Sequence, residues 1–529
     1  MPTPLSVPVR TSTRFTPGCL IGLLCLTLLC LTGCNGLPPL ENRPPSQALA
    51  HEDSLDTPLG QTLSPQIEEH PGLSGIYPLA DGLDAFAARV LLSGVAEKTL
   101  DVQYYIWRDD MTGVMLFKAL LSAAERGVRV RLLLDDNNTP GLDPLLAALH
   151  QHANIEIRLF NPFMVRKPRL WGFVTDFNRA NRRMHNKSFT ADNQATIIGG
   201  RNIGDEYFSA GSGMLFADLD VLAVGPVVQD VSDNFDDYWQ SASSFPVDLI
   251  LPPSPLSAFD ILTALEVNGQ LNGAGQAYLD SLRSSHIVRD LLLGTLDMEW
   301  APTRMVSDDP AKGLGTAEPE EMIGHQLLEI IGEPSTEVEL VSPYFVPTAA
   351  GVEAFTALVD SGIRVRIFTN SLAATDVAAV HAGYAKRRKP LLQEGVVLYE
   401  MRRLHTDLEV SRGAGPFGSS GSSLHAKTFS IDRERVFVGS LNFDPRSLHY
   451  NTELGFMIES PELAARIDDA FENDIPATAY EVRLDENDRL YWLERRNGEE
   501  IRHTTEPETT WLQRMSVWLL SLLPIERYL

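Results

Sequence analysis

One pattern occurs twice along this chain and decides its fold. The first copy runs His185-Asn186-Lys187, Asp192, Gly199-Gly200-Arg201-Asn202, and the second runs His425-Ala426-Lys427, Asp432, Gly439-Ser440-Leu441-Asn442. The spacing inside the two copies is identical, so a chance match is a poor explanation. A histidine and a lysine two positions apart point to the same face of a strand. The repeat therefore predicts two equivalent strands, each presenting an imidazole and an ammonium group.

Each copy is predicted to form a β-hairpin. In the second copy a strand at 425–431 is followed by a polar turn at 432–435 and a returning strand at 436–442. Directly paired residues of a hairpin lie about 5 Å apart at Cβ, so Asn442 is expected opposite His425. The turn aspartates and the neighbouring glycines are interpreted as structural: Asp192, Asp432, Gly199, Gly200 and Gly439.

The duplication extends beyond the hairpins. In the first half a strand at 100–107, a helix at 117–125 and a strand at 128–134 follow one another, and the same order returns at 338–341, 352–359 and 363–368. The two copies are 235 residues apart, which is far longer than a solenoid repeat. This βαβ order predicts an α/β protein with two tandem α/β/α sandwich domains, related by a pseudo-two-fold axis and sharing one active-site cleft.

The N-terminal segment has the order of an export signal. Arg10 and Arg14 precede an apolar run at 19–31, and Leu31-Thr32-Gly33-Cys34 resembles the lipobox of bacterial lipoproteins. The resemblance implies cleavage before Cys34 and lipidation of its sulfur, with an uncleaved signal anchor as the alternative. The expected location is the bacterial cell envelope, at the membrane through the lipidated Cys34 and on the periplasmic side.

The chain is predicted to have six parts. They are a signal peptide with lipobox at 1–33, a Pro-rich tether at 34–76, a first catalytic domain at 77–245, a connecting insert at 246–325, a second catalytic domain at 326–475, and a C-terminal extension at 476–529 with an apolar membrane-interface helix. The Gly- and Ser-rich stretch 411–423 is predicted to be a mobile lid or a flexible surface loop.

Composition excludes several function classes. The 529 residues include 44 Lys and Arg against 70 Asp and Glu, and the resulting net charge of −26 opposes non-specific binding to nucleic acid. All four cysteines lie within the first 34 residues, so the rest of the chain has no thiol for a zinc site. No His-x-His or His-Glu-x-x-His pattern accompanies the repeat. We expect neither a metal nor a cofactor.

The repeat resembles the duplicated His-x-Lys-x4-Asp motif of the phospholipase D superfamily, from residue 77 to about residue 467. Within it the chain is similar to the bacterial cardiolipin synthases of the C type, through the stretches 101–107, 134–141, 181–187, 308–313, 424–429 and 442–447. The lipobox departs from the general pattern of these synthases.

The resemblance implies covalent catalysis through a phospho-histidine. It assigns His185 as the nucleophile and His425 as the general acid, whereas the residues alone leave the reverse assignment open. Four side chains are expected to hold the non-bridging oxygens of the phosphate: Lys187, Lys427, Asn202 and Asn442. Ser440 is expected to add a hydroxyl donor that its counterpart Gly200 lacks.

Each histidine also needs a partner that fixes its tautomer. Glu453 is the predicted partner of His425. Asp218 is the predicted partner of His185, with Asp220 as an alternative on the same strand face.

The resemblance favours transfer of a phosphatidyl group between phospholipids to give cardiolipin, with phosphatidylglycerol as acceptor or donor and phosphatidylethanolamine as a further candidate. Hydrolysis to phosphatidic acid is the first alternative, because only the attacking group differs. A phosphodiesterase acting on nucleic acid is the second, and a non-catalytic envelope scaffold is the third. The need for a helper protein and the oligomeric state stay open.

Two segments are expected to contact the lipid surface. The first combines aromatic side chains with cations that are suited to binding headgroups: Arg166, Lys167, Arg169, Arg179, Arg182 and Arg183. The second is the apolar stretch 511–524, which is too short to cross a bilayer. The alternatives are a solvated basic surface for the first segment and packing against the protein for the second.

Overall fold

The computed structural model describes residues 36–529 except 42, 211–214, 270–277, 279, 283–284, 404–422 and 497. The predicted signal peptide, the lipobox with Cys34 and most of the predicted lid lie outside the described residues.

The first lobe is built on one large sheet. Its strands are β1 (Ser74–Leu79), β2 (Thr99–Tyr104), β3 (Arg129–Asp135), β4 (Ile155–Phe160), β5 (Ser188–Ala191), β6 (Ala195–Gly199), β7 (Phe216–Ala217), β8 (Asp220–Val224), β9 (Ser244–Pro246) and β10 (Glu299–Ala301). All except β7 form a nine-stranded sheet in the order β10-β1-β8-β6-β5-β2-β3-β4-β9.

The second lobe repeats this arrangement. Its strands are β11 (Thr303–Ser307), β12 (Glu337–Val341), β13 (Arg364–Asn370), β14 (Val397–Met401), β15 (Ser423–Leu424), β16 (Thr428–Ile431), β17 (Arg435–Gly439), β18 (Leu454–Ile458), β19 (Ala479–Leu484), β20 (Leu490–Arg496) and β21 (Glu499–His503). All except β15 form a ten-stranded sheet in the order β11-β18-β17-β16-β12-β13-β14-β19-β20-β21. The stretch from β11 to β14 has the same order and strand directions as the stretch from β1 to β4.

Helices cover the sheets. They span Pro58–Glu69, Gly82–Val95, Met111–Glu125, Asp143–His150, Leu170–Thr175, Phe177–Ala180, Val227–Gln240, Ala258–Gly269, His286–Leu292, Ile323–Ile331, Thr348–Asp360, Ala378–Ala385, Arg388–Gln393, Pro445–His449, Pro461–Asp469, Ile475–Thr478 and Trp511–Ser521. Local sequence sets their ends: Asp110 caps the helix Met111–Glu125, and Gly127 follows it at a φ of +101°, which favours glycine. The predicted α/β fold of two tandem domains is confirmed.

The two lobes share a hydrophobic core. Ile198 and Val221 of the first sheet pack in the same buried cluster as Val438 and Phe456 of the second, and each is at most 2% exposed. Burial of large aliphatic and aromatic side chains stabilises a fold by about 1.5–3 kcal/mol each. The lobes are therefore held face to face, and their motif strands end in one cleft.

The turns of both hairpins are short and contain three residues each. Thr428 pairs with Val438 and Ile431 with Arg435, so the second turn contains three residues, 432–434, instead of four. The prediction that Asn442 lies directly opposite His425 is therefore wrong by one position. The physical reason is the turn conformation, because Asp432 and Arg433 both adopt left-handed φ angles, of 55° and 57°.

The turn aspartates connect each hairpin to the neighbouring strand. Asp192 accepts backbone N–H bonds from residues 97–99 at 2.8–3.0 Å. Asp432 accepts the equivalent bonds from residues 335–337. These contacts give both aspartates a role in fixing the hairpin, at the end away from the histidines.

Regular structure extends into segments that were expected to be connections. The helix Pro58–Glu69 lies inside the predicted tether 34–76, and its Leu59 and Leu63 are buried in the core of the first lobe. Pro58 stands at the first helical position, where its missing N–H costs nothing. The predicted insert likewise supplies β10 and β11, and the predicted extension supplies β19, β20 and β21.

No helix in the described part of the chain combines the length and apolar character that a bilayer crossing requires.

Candidate active site

The segment preceding each motif histidine pairs with the opposite lobe, through an isolated bridge at Met184 and through the short strand β15. The backbone N–H of His185 donates to the carbonyl of Thr452 at 2.8 Å, and that of His425 donates to the carbonyl of Ala217 at 2.7 Å. β15, which leads to His425, forms a two-stranded parallel ladder with β7 of the first lobe. Each acceptor residue is followed by a carboxylate. This backbone pairing between the lobes therefore places a carboxylate from one lobe beside the histidine of the other.

The two histidine–carboxylate pairs cross between the lobes. Nδ1 of His185 lies 2.7 Å from Oε2 of Glu453, and Nδ1 of His425 lies 2.5 Å from Oδ2 of Asp218. The predicted pairing of Glu453 with His425 and of Asp218 with His185 is therefore wrong. The sequence shows which carboxylates follow the motifs, but the pairing depends on how the two lobes pack.

The alternative partner, Asp220, is occupied elsewhere. Its Oδ2 forms an ion pair with Arg89 at 2.7 Å, and its Oδ1 accepts the backbone N–H of Arg201 at 3.0 Å. Gly199 makes room for this carboxylate, since a Cβ there would lie 2.3 Å from Oδ1 of Asp220. Asp220 therefore supports the strand ends and does not orient a histidine.

Two buried lysines complete the pairs. Nζ of Lys187 donates to the carbonyl of His185, and Nζ of Lys427 donates to that of His425, both at 2.5 Å. Burial lowers the pKa of Lys187 to about 7, although Glu453 opposes the change, and burial also lowers the pKa of Lys427. Two ammonium groups in a dry site favour an anionic ligand, because such a ligand compensates for their lost hydration.

The motif asparagines lie at the same strand ends. Asn202 and Asn442 are 0% and 4% exposed. The side-chain oxygen of Asn202 accepts the backbone N–H of Ile106 at 3.1 Å, which turns its amide nitrogen away from the main chain. Among the described residues that nitrogen has no hydrogen-bond partner. A buried, unpaired donor of this kind is suited to an oxygen of a bound ligand.

Gly200 and Ser440 differ in what they allow at equivalent positions. A Cβ on Gly200 would lie 2.1 Å from Oδ1 of Asp218, so this position leaves space for the carboxylate. The hydroxyl of Ser440 donates to Oε2 of Glu453 at 2.5 Å. The expected extra donor is present, but it is directed at the carboxylate that orients His185. At Gly439, a Cβ would meet the backbone of the neighbouring strand at 2.5 Å.

The two pairs differ in their protonation. Burial, together with the charges of Lys187, Lys427 and His425, holds the pKa of His185 well below its ordinary value. Burial also raises the pKa of Glu453 to about 7. The first pair is therefore close to neutral at pH 7.

In the second pair the carboxylate is ionised. Burial alone would raise the pKa of Asp218, but His425, Lys427 and Arg201 together hold it below its ordinary range. Burial and Lys427 lower the pKa of His425, and the ionised Asp218 opposes that change. An ionised carboxylate favours the protonated imidazole, so His425 is the better placed of the two histidines to carry a proton.

The family comparison agrees with this duplicated site. The family described as "Cardiolipin synthase, PLD-like domain" matches residues 94–239 and 327–475, which contain both motifs. This chain belongs to that family. Cardiolipin synthase C of Escherichia coli is 51% identical over 468 residues, which cover 88% of this chain and 99% of that protein.

More distant cardiolipin synthases and one solved structure extend the comparison. Cardiolipin synthase B of Escherichia coli is 24% identical over 77% of this chain and 82% of its own length. The crystal structure of phosphatidylserine synthase from Haemophilus influenzae is 13% identical and covers 89% of this chain and all of that one, with a TM-score of 0.56. That likeness concerns the fold alone. The predicted membership and enzyme class are confirmed by the family match and by the 51% identical relative.

In this cardiolipin synthase family member, sequence reasoning missed a buried ion pair behind Glu453. Oδ2 of Asp308 accepts the backbone N–H of Glu453 at 2.8 Å, while Oδ1 of Asp308 lies 2.8 Å from Nζ of Lys312. Lys312 also donates to the carbonyl of Ser447 at 2.8 Å. In the sequence, the stretch 308–313 stands out only as a point of family resemblance. The signal for the ion pair is the spacing of an acidic and a basic residue four positions apart.

Aromatic side chains wall the two histidines. The ring of Tyr105 meets the edge of His185 at a centroid distance of 4.8 Å, and its face lies 5.7 Å from Nζ of Lys187. Tyr207 and Phe216 lie 5.2 Å and 5.0 Å from the ring of His425. These rings exclude water from the imidazoles and restrict their rotation.

The cations expected to bind lipid headgroups are largely neutralised within the protein. Ion pairs engage Arg166 with Asp136 and Asp143, Arg169 with Asp143, Arg179 with Asp176, and Arg183 with Asp135. Four of the six cations are therefore already paired with carboxylates. Arg182 donates to the carbonyls of Lys312 and His449, and neither Arg182 nor the exposed Lys167 has a carboxylate partner among the described residues.

One carboxylate cluster has a spacing compatible with a metal ion. Among the described residues, Glu337, Glu339 and Asp468 bring one oxygen each within 4.8 Å of one another. Arg366 forms ion pairs with all three, so arginine already supplies the compensating charge.

Proposed function

We propose that this chain makes cardiolipin, by transferring a phosphatidyl group from one phospholipid to the headgroup hydroxyl of phosphatidylglycerol. The observation that carries the proposal is the pair of crossed dyads, His185–Glu453 and His425–Asp218, with two buried lysines beside them. Their chemistry fits a phosphodiester, which needs a nucleophile, an acid and donors for its anionic oxygens. The match to cardiolipin synthase C over 99% of that protein supports the choice of product.

In the first step His185 acts as the nucleophile. Its Nδ1 is bound to Glu453, which leaves Nε2 with a free lone pair, and its low pKa keeps the ring neutral. Nε2 attacks the phosphorus of the donor lipid, a P–N bond forms, and the P–O bond to the headgroup breaks. His425 protonates the departing oxygen, so the headgroup leaves as an alcohol.

In the second step the roles of His425 reverse. The neutral ring takes the proton from the hydroxyl of a second phospholipid as that oxygen attacks phosphorus. The P–N bond breaks, His185 is regenerated, and His425 is protonated again. Lys187, Lys427, Asn202 and Asn442 hold the non-bridging oxygens in both steps. Removing one such donor typically lowers the rate about 10²- to 10³-fold.

A product analysis tests the proposal. The purified protein is given phosphatidylglycerol vesicles, with and without phosphatidylethanolamine, and the lipids are identified by mass spectrometry. Cardiolipin is expected in both cases. Phosphatidic acid as the sole product would instead assign hydrolysis, and inertness toward lipid combined with cleavage of DNA would overturn both lipid reactions.

Variants of the two histidines supply the matched controls. His185→Ala and His425→Ala are each expected to abolish turnover. His286→Ala removes an exposed histidine at the start of the helix His286–Leu292 and is expected to leave turnover unchanged.

We further infer a location at the membrane surface of the bacterial envelope, with a lipidated Cys34 as the anchor and the catalytic body on the periplasmic side. Two exposed apolar elements support contact with lipid. In the helix Trp511–Ser521 only Val517 is buried, and Trp511 and Trp518 are 63% and 60% exposed. In the helix Leu170–Thr175, Trp171 is 55% exposed. Tryptophan with leucine at an exposed helix face favours the membrane interface.

A further inference from the structure

A groove lies beside the second motif, between the lobes and the end of the chain. It has a volume of about 640 Å³. Its walls are formed by Val346, Pro347, Thr348, Ala350, Gly351, Phe443, Pro445, Leu448, His449, Tyr450, Glu526, Arg527 and, from the first lobe, Arg182. Phe443, on one wall, directly follows the motif residue Asn442. Pockets of roughly 300–1,000 Å³ are typical for small-molecule ligands. The groove therefore has the size of a ligand site, and its wall begins one residue after a motif asparagine.

The groove has an excess of positive charge. Arg182 and Arg527 both line it, and neither pairs with a carboxylate in the described part of the chain. Arg182 donates to the carbonyl of His449 at 3.0 Å. Burial and the charges of Lys312, Arg527 and Arg182 lower the pKa of His449. The groove is thus positive on a protein whose net charge is −26.

The negative groups around the groove are already engaged. Glu526 is the carboxylate of the lining, and it is bound by Lys386 at 2.9 Å and by Arg387 at 3.0 Å. Behind the wall, Lys312 is paired with Asp308. The two lining arginines therefore stay available for an anion from outside.

The remaining wall is apolar and continues onto the surface. Val346, Pro347 and Leu448 line the groove together with Phe443 and Tyr450. The ring of Tyr450 stacks on Tyr528 at a centroid distance of 5.8 Å. Tyr528 in turn meets Phe177, which is 47% exposed, at 6.3 Å. A lipid with its phosphate at the arginines would thus find apolar surface for its glycerol and acyl chains.

We propose that this groove binds the second phospholipid of the reaction, the one whose hydroxyl attacks the phospho-histidine. Arg182 and Arg527 bind its phosphodiester, His449 donates an N–H to it, and the apolar wall holds its glycerol backbone. This inference rests on the proposed transfer reaction, because hydrolysis needs no second lipid. A free phosphate shares the chemistry of the headgroup but leaves the apolar wall unused.

The test compares two acceptors that share one donor and one covalent intermediate. Arg527→Gln in the full chain is given phosphatidylglycerol vesicles, and cardiolipin formation is measured beside transfer to an excess of a small water-soluble alcohol. Loss of one charged hydrogen bond weakens binding about tenfold or more. We therefore expect cardiolipin formation at low lipid concentration to fall about tenfold, while transfer to the small alcohol keeps its rate. Arg304→Gln, which removes an exposed arginine on β11, is the matched control.

Three results would overturn the groove assignment. They are an equal loss with both acceptors, no loss with either, or an equal loss in Arg304→Gln.

A binding measurement keeps the groove testable if the native chain makes no cardiolipin. His185→Ala protein, which has no nucleophile, is titrated with short-chain phosphatidylglycerol and, separately, with inorganic phosphate. Binding of the lipid that weakens about tenfold on adding Arg527→Gln supports the lipid site. Unchanged lipid binding, or tighter binding of inorganic phosphate than of the lipid, contradicts it.

Discussion

Glu453 of the second lobe accepts the Nδ1–H of His185 of the first lobe at 2.7 Å. The reciprocal contact joins His425 to Asp218 at 2.5 Å. Each imidazole is therefore oriented by a group from the other lobe, and neither lobe contains a complete dyad. The ionisation of the two dyads differs because Asp218 is held charged while the pKa of Glu453 is raised to about 7 by burial.

The first prediction concerns the crossed contacts. Glu453→Gln and Asp218→Asn each remove a carboxylate but keep a polar side chain of similar size. We expect kcat to fall about 10²- to 10⁴-fold in each, with KM little changed, because the tautomer of the imidazole is no longer fixed. Steady-state kinetics check this, with Asp248→Asn, an exposed carboxylate, as the control. A normal kcat in either dyad variant would contradict the assigned contacts.

The second prediction concerns the space at Gly200. Gly200→Ala places a methyl group 2.1 Å from Oδ1 of Asp218, so the carboxylate must move and its contact with His425 is lost. We expect a loss of activity close to that of Asp218→Asn. Ser440→Gly creates no such overlap and removes the hydroxyl bond to Glu453, so its expected loss is only about tenfold. A larger loss of activity in Ser440→Gly than in Gly200→Ala would contradict this account.

The third prediction concerns pH and activity. The pKa of Lys187 is lowered to about 7, so its charge is lost as the pH rises through that value. We expect kcat/KM to decline above about pH 7, since this parameter reports the free enzyme. In Lys187→Arg the guanidinium stays charged, and the decline moves to higher pH. If kcat/KM of Lys187→Arg declines at the same pH as that of the native chain, Lys187 is not the group that causes the decline.

The fourth prediction concerns pH and stability. The pKa of Glu453 in the folded chain is about 7, above its ordinary value of 4.5, because of burial. The proton is therefore held more tightly in the folded state, and the stability that it contributes is lost as the pH rises from 4.5 through 7. Glu453→Gln has no such loss. Its free energy of unfolding relative to the native chain should rise by about 3 kcal/mol between pH 4.5 and pH 8.

Denaturant unfolding at several pH values measures that difference. Asp248→Asn, which removes an exposed carboxylate, serves again as the control. A difference between Glu453→Gln and the native chain that is independent of pH would show that Glu453 titrates normally in the fold.

The fifth prediction concerns membrane contact. Replacing Trp511 and Trp518 by Ser removes two exposed rings from the helix Trp511–Ser521. Burial of a large apolar side chain contributes about 1.5–3 kcal/mol. In protein that lacks the lipid anchor (Cys34→Ala), the two replacements should therefore weaken binding to neutral vesicles, measured by flotation, at least about tenfold. Phe259→Ser, which removes a ring that is 64% exposed, is the matched control. Equal flotation of all three proteins would contradict contact through this helix.

The duplicated fold and the content of the site could be predicted because both depend on local spacing. The His-x-Lys pair fixes a strand face, and the aspartate seven residues after each histidine begins a turn, so the sequence predicts two hairpins. The contacts across the lobes could not be predicted in this way. The pairing of His185 with Glu453 joins residues 268 positions apart, and it depends on the packing of one sheet face against the other.

The remaining errors also have physical causes. The turn at Asp432 contains one residue fewer than expected because two consecutive residues adopt the left-handed conformation. The prolines of residues 34–76 predict an extended tether, but the segment contains the helix Pro58–Glu69. Pro58 stands at the helix start, where proline is favoured. The ion pairs of the basic cluster could not be predicted, because acids distant in sequence, such as Asp136, meet it only in the folded protein.

The contact between His185 and Glu453 has a consequence for the newly made protein. A chain whose synthesis has passed His185 but has not reached Glu453 holds an imidazole with no carboxylate to orient it. We expect such an unfinished polypeptide to lack transferase activity, because the dyad forms only after the second lobe has been made and has packed against the first.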